Sequence, residues 1–133
     1  MPVRRKRTVR TVFIDVDSFA DRGDYLVAWI KHIPVGYYKK YMQKLYAKNA
    51  SYYAAMYAVS KKYPQKQILS EVCYDKKDQF VGSSSSPFSV KNFEEVVPDS
   101  LAEVIYKTIL AIHKTAKQQG GIAKNKETQV RSL

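Results

Sequence analysis

Polar and apolar positions alternate from Thr8 to Val16. Val12, Ile14 and Val16 fall on one side of an extended strand and Thr11, Phe13 and Asp15 on the other. That period of two marks a half-buried strand. Asp17 to Asp24, with Gly23, supplies turn residues. An aromatic and β-branched run from Tyr25 to Ile33 predicts a second strand, closed by Pro34. The two strands are near enough in sequence to form a hairpin, which must pack on something else to persist in water. Beyond Pro34 the period lengthens. From Val35 to about Asn49, Tyr38, Tyr41, Met42 and Leu45 recur on one side and Lys39, Lys40, Lys44 and Lys48 lie mostly on others, which predicts a helix. Ser51 is placed to cap a second helix running to about Lys62, with Tyr53, Met56, Tyr57 and Val59 inward and Pro64 ending it.

Gln67 to Tyr74 fits a short helix or a buried strand equally well. Asp75 to Asp78 reads as a polar turn leading to Phe80 and Val81, and Gly82 to Pro87 as a flexible serine-rich loop. Ser89 would cap a short helix that turns Phe93 and Val96 or Val97 inward. The clearest element comes last. Ser100 and Glu103 have capping-box spacing, Leu101, Val104, Ile105, Ile109 and Ile112 recur at helical spacing, and Gly120 and Gly121 end the helix. The expected organisation is a disordered basic arm at 1–7, a single α+β domain at 8–119 and a flexible polar tail at 120–133. Within the domain, an N-terminal antiparallel β-hairpin packs on a small bundle of about four helices.

The chain has 133 residues, 45% of them apolar, which is enough for one domain with its own core. Cys73 is the only cysteine, so an internal disulfide and a multi-cysteine zinc site are excluded. Its neighbours Val72 and Tyr74 suggest a buried structural thiol. No apolar run reaches the roughly 20 residues that span a bilayer, and Asp15 and Asp17 interrupt the only candidate for a secretory core. The expected location is therefore the cytoplasm, without a membrane partner. The net charge of +11 is unevenly placed: residues 1–10 carry five basic side chains and no acid, and Tyr25 to Ser70 carries eight lysines and no acid. Such asymmetry favours an anionic partner.

Candidate chemistry is sparse. Asp15-Val16-Asp17 follows a strand, as carboxylate pairs that hold magnesium do, but such sites need an open parallel sheet and further acids. Here a short turn and an antiparallel partner follow, so these acids are assigned to a turn. His32 and His113 have no ligand at metal spacing, and neither a nucleophile–base pair nor a glycine-rich phosphate loop is present. No catalytic, cofactor-binding or metal residue is expected, and the chain reads as a binding protein rather than an enzyme. Tyr37-Tyr38-Lys39-Lys40-Tyr41 reads first as an amphipathic helix with half-buried tyrosines, and second as a surface that stacks bases and neutralises phosphates. The arm supplies a stronger candidate for phosphate contacts in Arg4, Arg5, Lys6, Arg7 and Arg10.

Several stretches in order form a wider pattern: Tyr25-Leu26-Val27-Ala28-Trp29-Ile30-Lys31-His32-Ile33-Pro34-Val35, the helix from Tyr37 to Leu45, Leu69-Ser70-Glu71-Val72-Cys73-Tyr74-Asp75, and Phe88-Ser89-Val90-Lys91-Asn92-Phe93-Glu94-Glu95-Val96-Val97-Pro98. A terminal amphipathic helix and a polar tail with Ala123-Lys124-Asn125 complete it. This order resembles the tail assembly chaperones of long-tailed bacteriophages. The resemblance implies a non-enzymatic factor of the host cytoplasm that binds the helical tape measure protein, or another helical tail protein, during tail morphogenesis and self-associates. It also implies a longer form made by frameshifting. A helical client would dock on the apolar faces of the two central helices, at Tyr38, Tyr41, Leu45, Tyr53, Met56 and Tyr57. The alternative, resting on the charge and the arm, is a basic nucleic-acid-binding viral structural or packaging protein.

Overall fold

The computed structural model describes residues 11–118 and 127–130. The alternating segment forms β1, Thr11–Asp21, and the aromatic run forms β2, Tyr25–Ile33. Between them Gly23 takes φ 89°, a conformation that a side chain would strain, and its N–H donates to the Asp21 carboxylate. The chain continues through α1, Gly36–Leu45, β3, Tyr52–Ser60, β4, Gln65–Tyr74, and β5, Phe80–Ser85. A single 3-10 turn at Val90–Asn92 and the two-residue strand β6, Glu94–Glu95, precede α2, Leu101–Gln118, and β7, Glu127–Val130. Six strands lie side by side in the order β5-β4-β3-β2-β1-β7, all neighbours antiparallel, and β6 pairs with β4 off this path.

This architecture corrects the expected bundle of about four helices. The described residues form one antiparallel sheet with two helices, so α+β holds only in the coarse sense. The decisive difference is Tyr52–Ser60, expected as a helix and found as the strand between β2 and β4. Ala55, Tyr57, Ala58, Val59 and Ser60 are all buried because neighbours cover both faces of this stretch. A strand buried on both sides loses its alternation, and its apolar run then satisfies a helical period by coincidence. Gly82 to Ser85, expected in a loop, belongs to β5. Ser89 does cap, accepting the Lys91 N–H at 3.3 Å, but the element it caps is only the 3-10 turn. Within the stretch expected as a polar tail, Glu127–Val130 pairs with β1. The arm, 1–7, lies outside the described residues.

The helix α2 covers one face of the sheet. Val12 and Ile14 of β1, Leu26, Ala28 and Ile30 of β2, and Ala55, Tyr57 and Val59 of β3 meet Ile105 and Ile109 in one buried cluster. The start of the helix follows the predicted capping logic. The Ser100 hydroxyl accepts the Glu103 N–H at 3.2 Å, while the Glu103 carboxylate accepts the Asp99 N–H at 3.3 Å. A smaller cluster of Met42, Ala50 and Cys73 seats α1 beside the same face. Cys73 is fully buried, and burial pushes its thiol up, away from thiolate chemistry.

Candidate nucleic-acid interface

The opposite face is covered at one end only. There Tyr25 stacks on Phe88 with centroids 4.3 Å apart, and Phe93 packs edge-on against both rings. Gln67 is buried and donates its Nε2 to the Ser89 carbonyl at 2.8 Å. The segment from Ser86 to Val96 is thus held across Val27 and Ala58, which pair with each other and with Gln67.

Toward the other end, register places Phe13 opposite Lys31, Lys31 opposite Ala54, Ala54 opposite Val72 and Tyr52 opposite Tyr74. Cross-strand partners point to the same side of a sheet, so Phe13, Trp29, Lys31, Tyr52, Val72 and Tyr74 share one surface. Among the described residues this end stays open. Its side chains are half-buried by one another and line a hollow of about 380 Å3. Tyr52 and Tyr74 stack at 5.1 Å. The Lys31 ammonium stands 4.8 Å from the Tyr52 ring centroid and 5.9 Å from that of Phe13, held by cation–π attraction without a carboxylate partner within ion-pair distance among the described residues. The Tyr52 hydroxyl donates to Asp78 Oδ1 at 2.6 Å. Burial first, then that bond and the Asp78 charge, push the phenol up to about 12. The ring is thereby fixed as a neutral donor.

A bulge in β1 positions the Trp29 side of this surface. Val16 to Phe19 oppose the single residue Ala28, between the pairs Asp15–Trp29 and Ala20–Val27. Ser18 closes the bulge: its hydroxyl donates to the Asp15 carbonyl at 2.6 Å and accepts the Trp29 N–H at 2.8 Å. Phe19 is thereby turned into the α2 core, while Asp15 remains beside Trp29 in the hollow. Asp15 Oδ1 accepts the Asp17 N–H at 3.1 Å, so this pair organises the bulge. Among the described residues no group of three or more His, Cys, Asp or Glu stands together as metal ligands would.

The residues expected to bind a client divide. Tyr38, Tyr41 and Leu45 project from α1 with 42%, 54% and 61% exposure, and with Tyr53 they line a hollow of about 370 Å3. The half-buried tyrosines expected on this helix are therefore exposed. Tyr53 stacks on His32 at 4.6 Å. Met56 lies on the other side of the sheet, opposite Trp29 and Ser70. Tyr57 is in the α2 core, its hydroxyl 3.4 Å from His32 Nε2. A strand sends Met56 and Tyr57 to opposite faces, which the expected helix would not have done. Arg4, Arg5, Lys6, Arg7 and Arg10 lie outside the described residues. They immediately precede Thr11, which pairs with Ile33 at the Phe13 and Lys31 end of the sheet.

No family model, curated protein or solved structure matches the chain. Sequence reasoning missed Phe13, Trp29, Lys31, Tyr52 and Tyr74 as a group. The available signal was the outward set of the first strand, Thr11, Phe13 and Asp15, in which an aromatic stands where a solvated strand face would carry a polar residue.

Proposed function

We propose that the chain binds single-stranded nucleic acid on the open end of its sheet. The observation that carries this reading is the uncovered surface of Phe13, Trp29, Tyr52 and Tyr74 around the Lys31 ammonium. Unpaired bases stack on such rings without regard to sequence, and lysine neutralises the phosphates between them. A duplex keeps its bases stacked inside and gains little from a platform of this kind. The +11 charge and the five basic residues leading into β1 add a salt-sensitive attraction for the backbone. No helix among the described residues is long and apolar enough to cross a membrane.

Trp29 is the only tryptophan, so it reports occupancy of the surface directly. Titration with a single-stranded oligonucleotide is expected to quench its fluorescence saturably, and a duplex of equal length to quench it far less. Removing residues 1–10, with their five basic side chains, should lower the log–log salt slope by roughly 3.5, at about 0.7 per phosphate contact. A Trp29 signal indifferent to single strands at low salt sinks the reading.

A second reading is supported by the α1 hollow. The exposed Tyr38, Tyr41 and Leu45 offer a groove to an amphipathic helix, as a tail assembly chaperone would offer to a tape measure protein. Its test is co-purification of a tape measure fragment, expected to be lost in Leu45→Asp; failure of the unmodified chain to retain the fragment removes it.

A further inference from the structure

A basic hollow of about 460 Å3 lies at the same end of the molecule, bounded by α1, the loop before β3 and the β4–β5 turn. Four lysines line it: Lys39 from α1, Lys48 from the loop, and Lys76 and Lys77 from the turn. Among the described residues none of the four makes an ion pair. The one acid in the lining, Asp75, is committed elsewhere: its Oδ1 accepts the backbone N–H of Lys77 at 2.8 Å and of Gln79 at 3.0 Å. The turn's other acid, Asp78, is held by the Tyr52 hydroxyl. Both carboxylates therefore shape the turn rather than pair with its lysines, and the hollow carries four cations against the single charge of Asp75. Bringing four like charges from three separated segments to one hollow costs energy, and a polyanion occupying it would repay that cost.

The turn joins this hollow to the aromatic surface. Tyr74 ends β4 on the open face, Asp75 to Lys77 follow it directly into the basic hollow, and Asp78 reaches back to Tyr52. We infer that the lysine hollow is a phosphate-binding extension of the sheet surface, taking the sugar–phosphate backbone of a strand that passes over the β4–β5 turn. This inference rests on the single-strand reading and adds a footprint longer than the rings alone provide.

The test compares oligothymidylates of about four and about sixteen nucleotides, spanning the usual range of site sizes. The full chain is compared with two quadruple variants of equal charge. One carries Lys39→Ala, Lys48→Ala, Lys76→Ala and Lys77→Ala. The other carries Lys40→Ala, Lys44→Ala, Lys62→Ala and Lys91→Ala, all on exposed positions outside the hollow. With the long oligonucleotide the first variant should lose roughly 2 to 3 from the log–log salt slope, at about 0.7 per lost contact, and bind at least tenfold more weakly. The second should change far less, and Trp29 quenching by the short oligonucleotide should survive in both. Equal losses in the two variants, or an unchanged slope in the first, overturn the extension while leaving the single-strand reading intact. Absence of Trp29 quenching by either oligonucleotide on the unmodified chain overturns both.

Discussion

The two faces of the sheet are built from the same strands, yet they meet different fates. On one, Ile14, Ile30, Ala55 and Val59 lie beneath α2 with almost no exposure. On the other, Phe13, Trp29 and Ala54 are immediate sequence neighbours of Ile14, Ile30 and Ala55, and together with Tyr74 they remain half-open. The covered face is mainly aliphatic and takes the stripe of an amphipathic helix. The open end is ring-rich, with a lysine set among the rings, and the segment from Ser86 to Val96 covers only the Tyr25 end. One face thus serves stability, and the other keeps apolar area available for a ligand. Apolarity alone does not separate them; the presence of a covering element does.

The largest effect is expected on the covered face. Ile109 is fully buried, and Ile109→Ala should cost about 2–5 kcal/mol of folding stability in urea unfolding. Trp29 quenching by a single strand should be retained at temperatures where the variant is folded. A loss of quenching in the folded variant would break the separation of the two faces.

An intermediate effect of opposite kind is expected from Tyr74→Ala on the open face. Losing one stacking ring should weaken single-strand binding by about 1–3 kcal/mol. Stability should fall by roughly 1 kcal/mol or less, the range of a cross-strand aromatic pair. A large drop in unfolding midpoint with unchanged binding would show instead that this surface is structural.

The smallest effect sharpens the electrostatics of the open face. Tyr52 titrates at about 12 rather than 10.0. The folded chain therefore keeps a proton that the unfolded chain releases near pH 10. The stabilisation is complete below that pH and is lost as pH rises through about 12. Asp78→Asn removes the acceptor's charge, so the Tyr52 ring carbon followed by NMR should titrate lower, though burial keeps it above 10.0. Stability should then fall less steeply with alkali. An unmoved titration would mean that Asp78 does not hold this ring.

Several elements were legible because local signals decide them. Pro34 and the aromatic run bound Tyr25–Ile33, the tyrosine–lysine periodicity marks the helix found at Gly36–Leu45, and Ser100, Glu103 and the isoleucine stripe mark Leu101–Gln118. Tyr52–Ser60 was not legible, since its second half, Tyr57 to Ser60, is covered on both faces and shows no period of two. Ser83, Ser84 and Ser85 carry turn-forming residues, and only pairing with Val72, Glu71 and Ser70 of β4 makes them a strand.

The charge asymmetry, the lone cysteine, the hairpin and the helices at Gly36–Leu45 and Leu101–Gln118 could be read from the amino-acid sequence, which also suggested two helices that are not formed. The features read correctly depend on composition or on contacts within a few residues. Tertiary structure alone decided that Phe13, Trp29, Lys31, Tyr52 and Tyr74 form one surface and that Lys39, Lys48, Lys76 and Lys77 line one hollow. Each set is drawn from separate segments. Their convergence is fixed by strand order and register, and register is a long-range agreement between strands that no local period in the chain records.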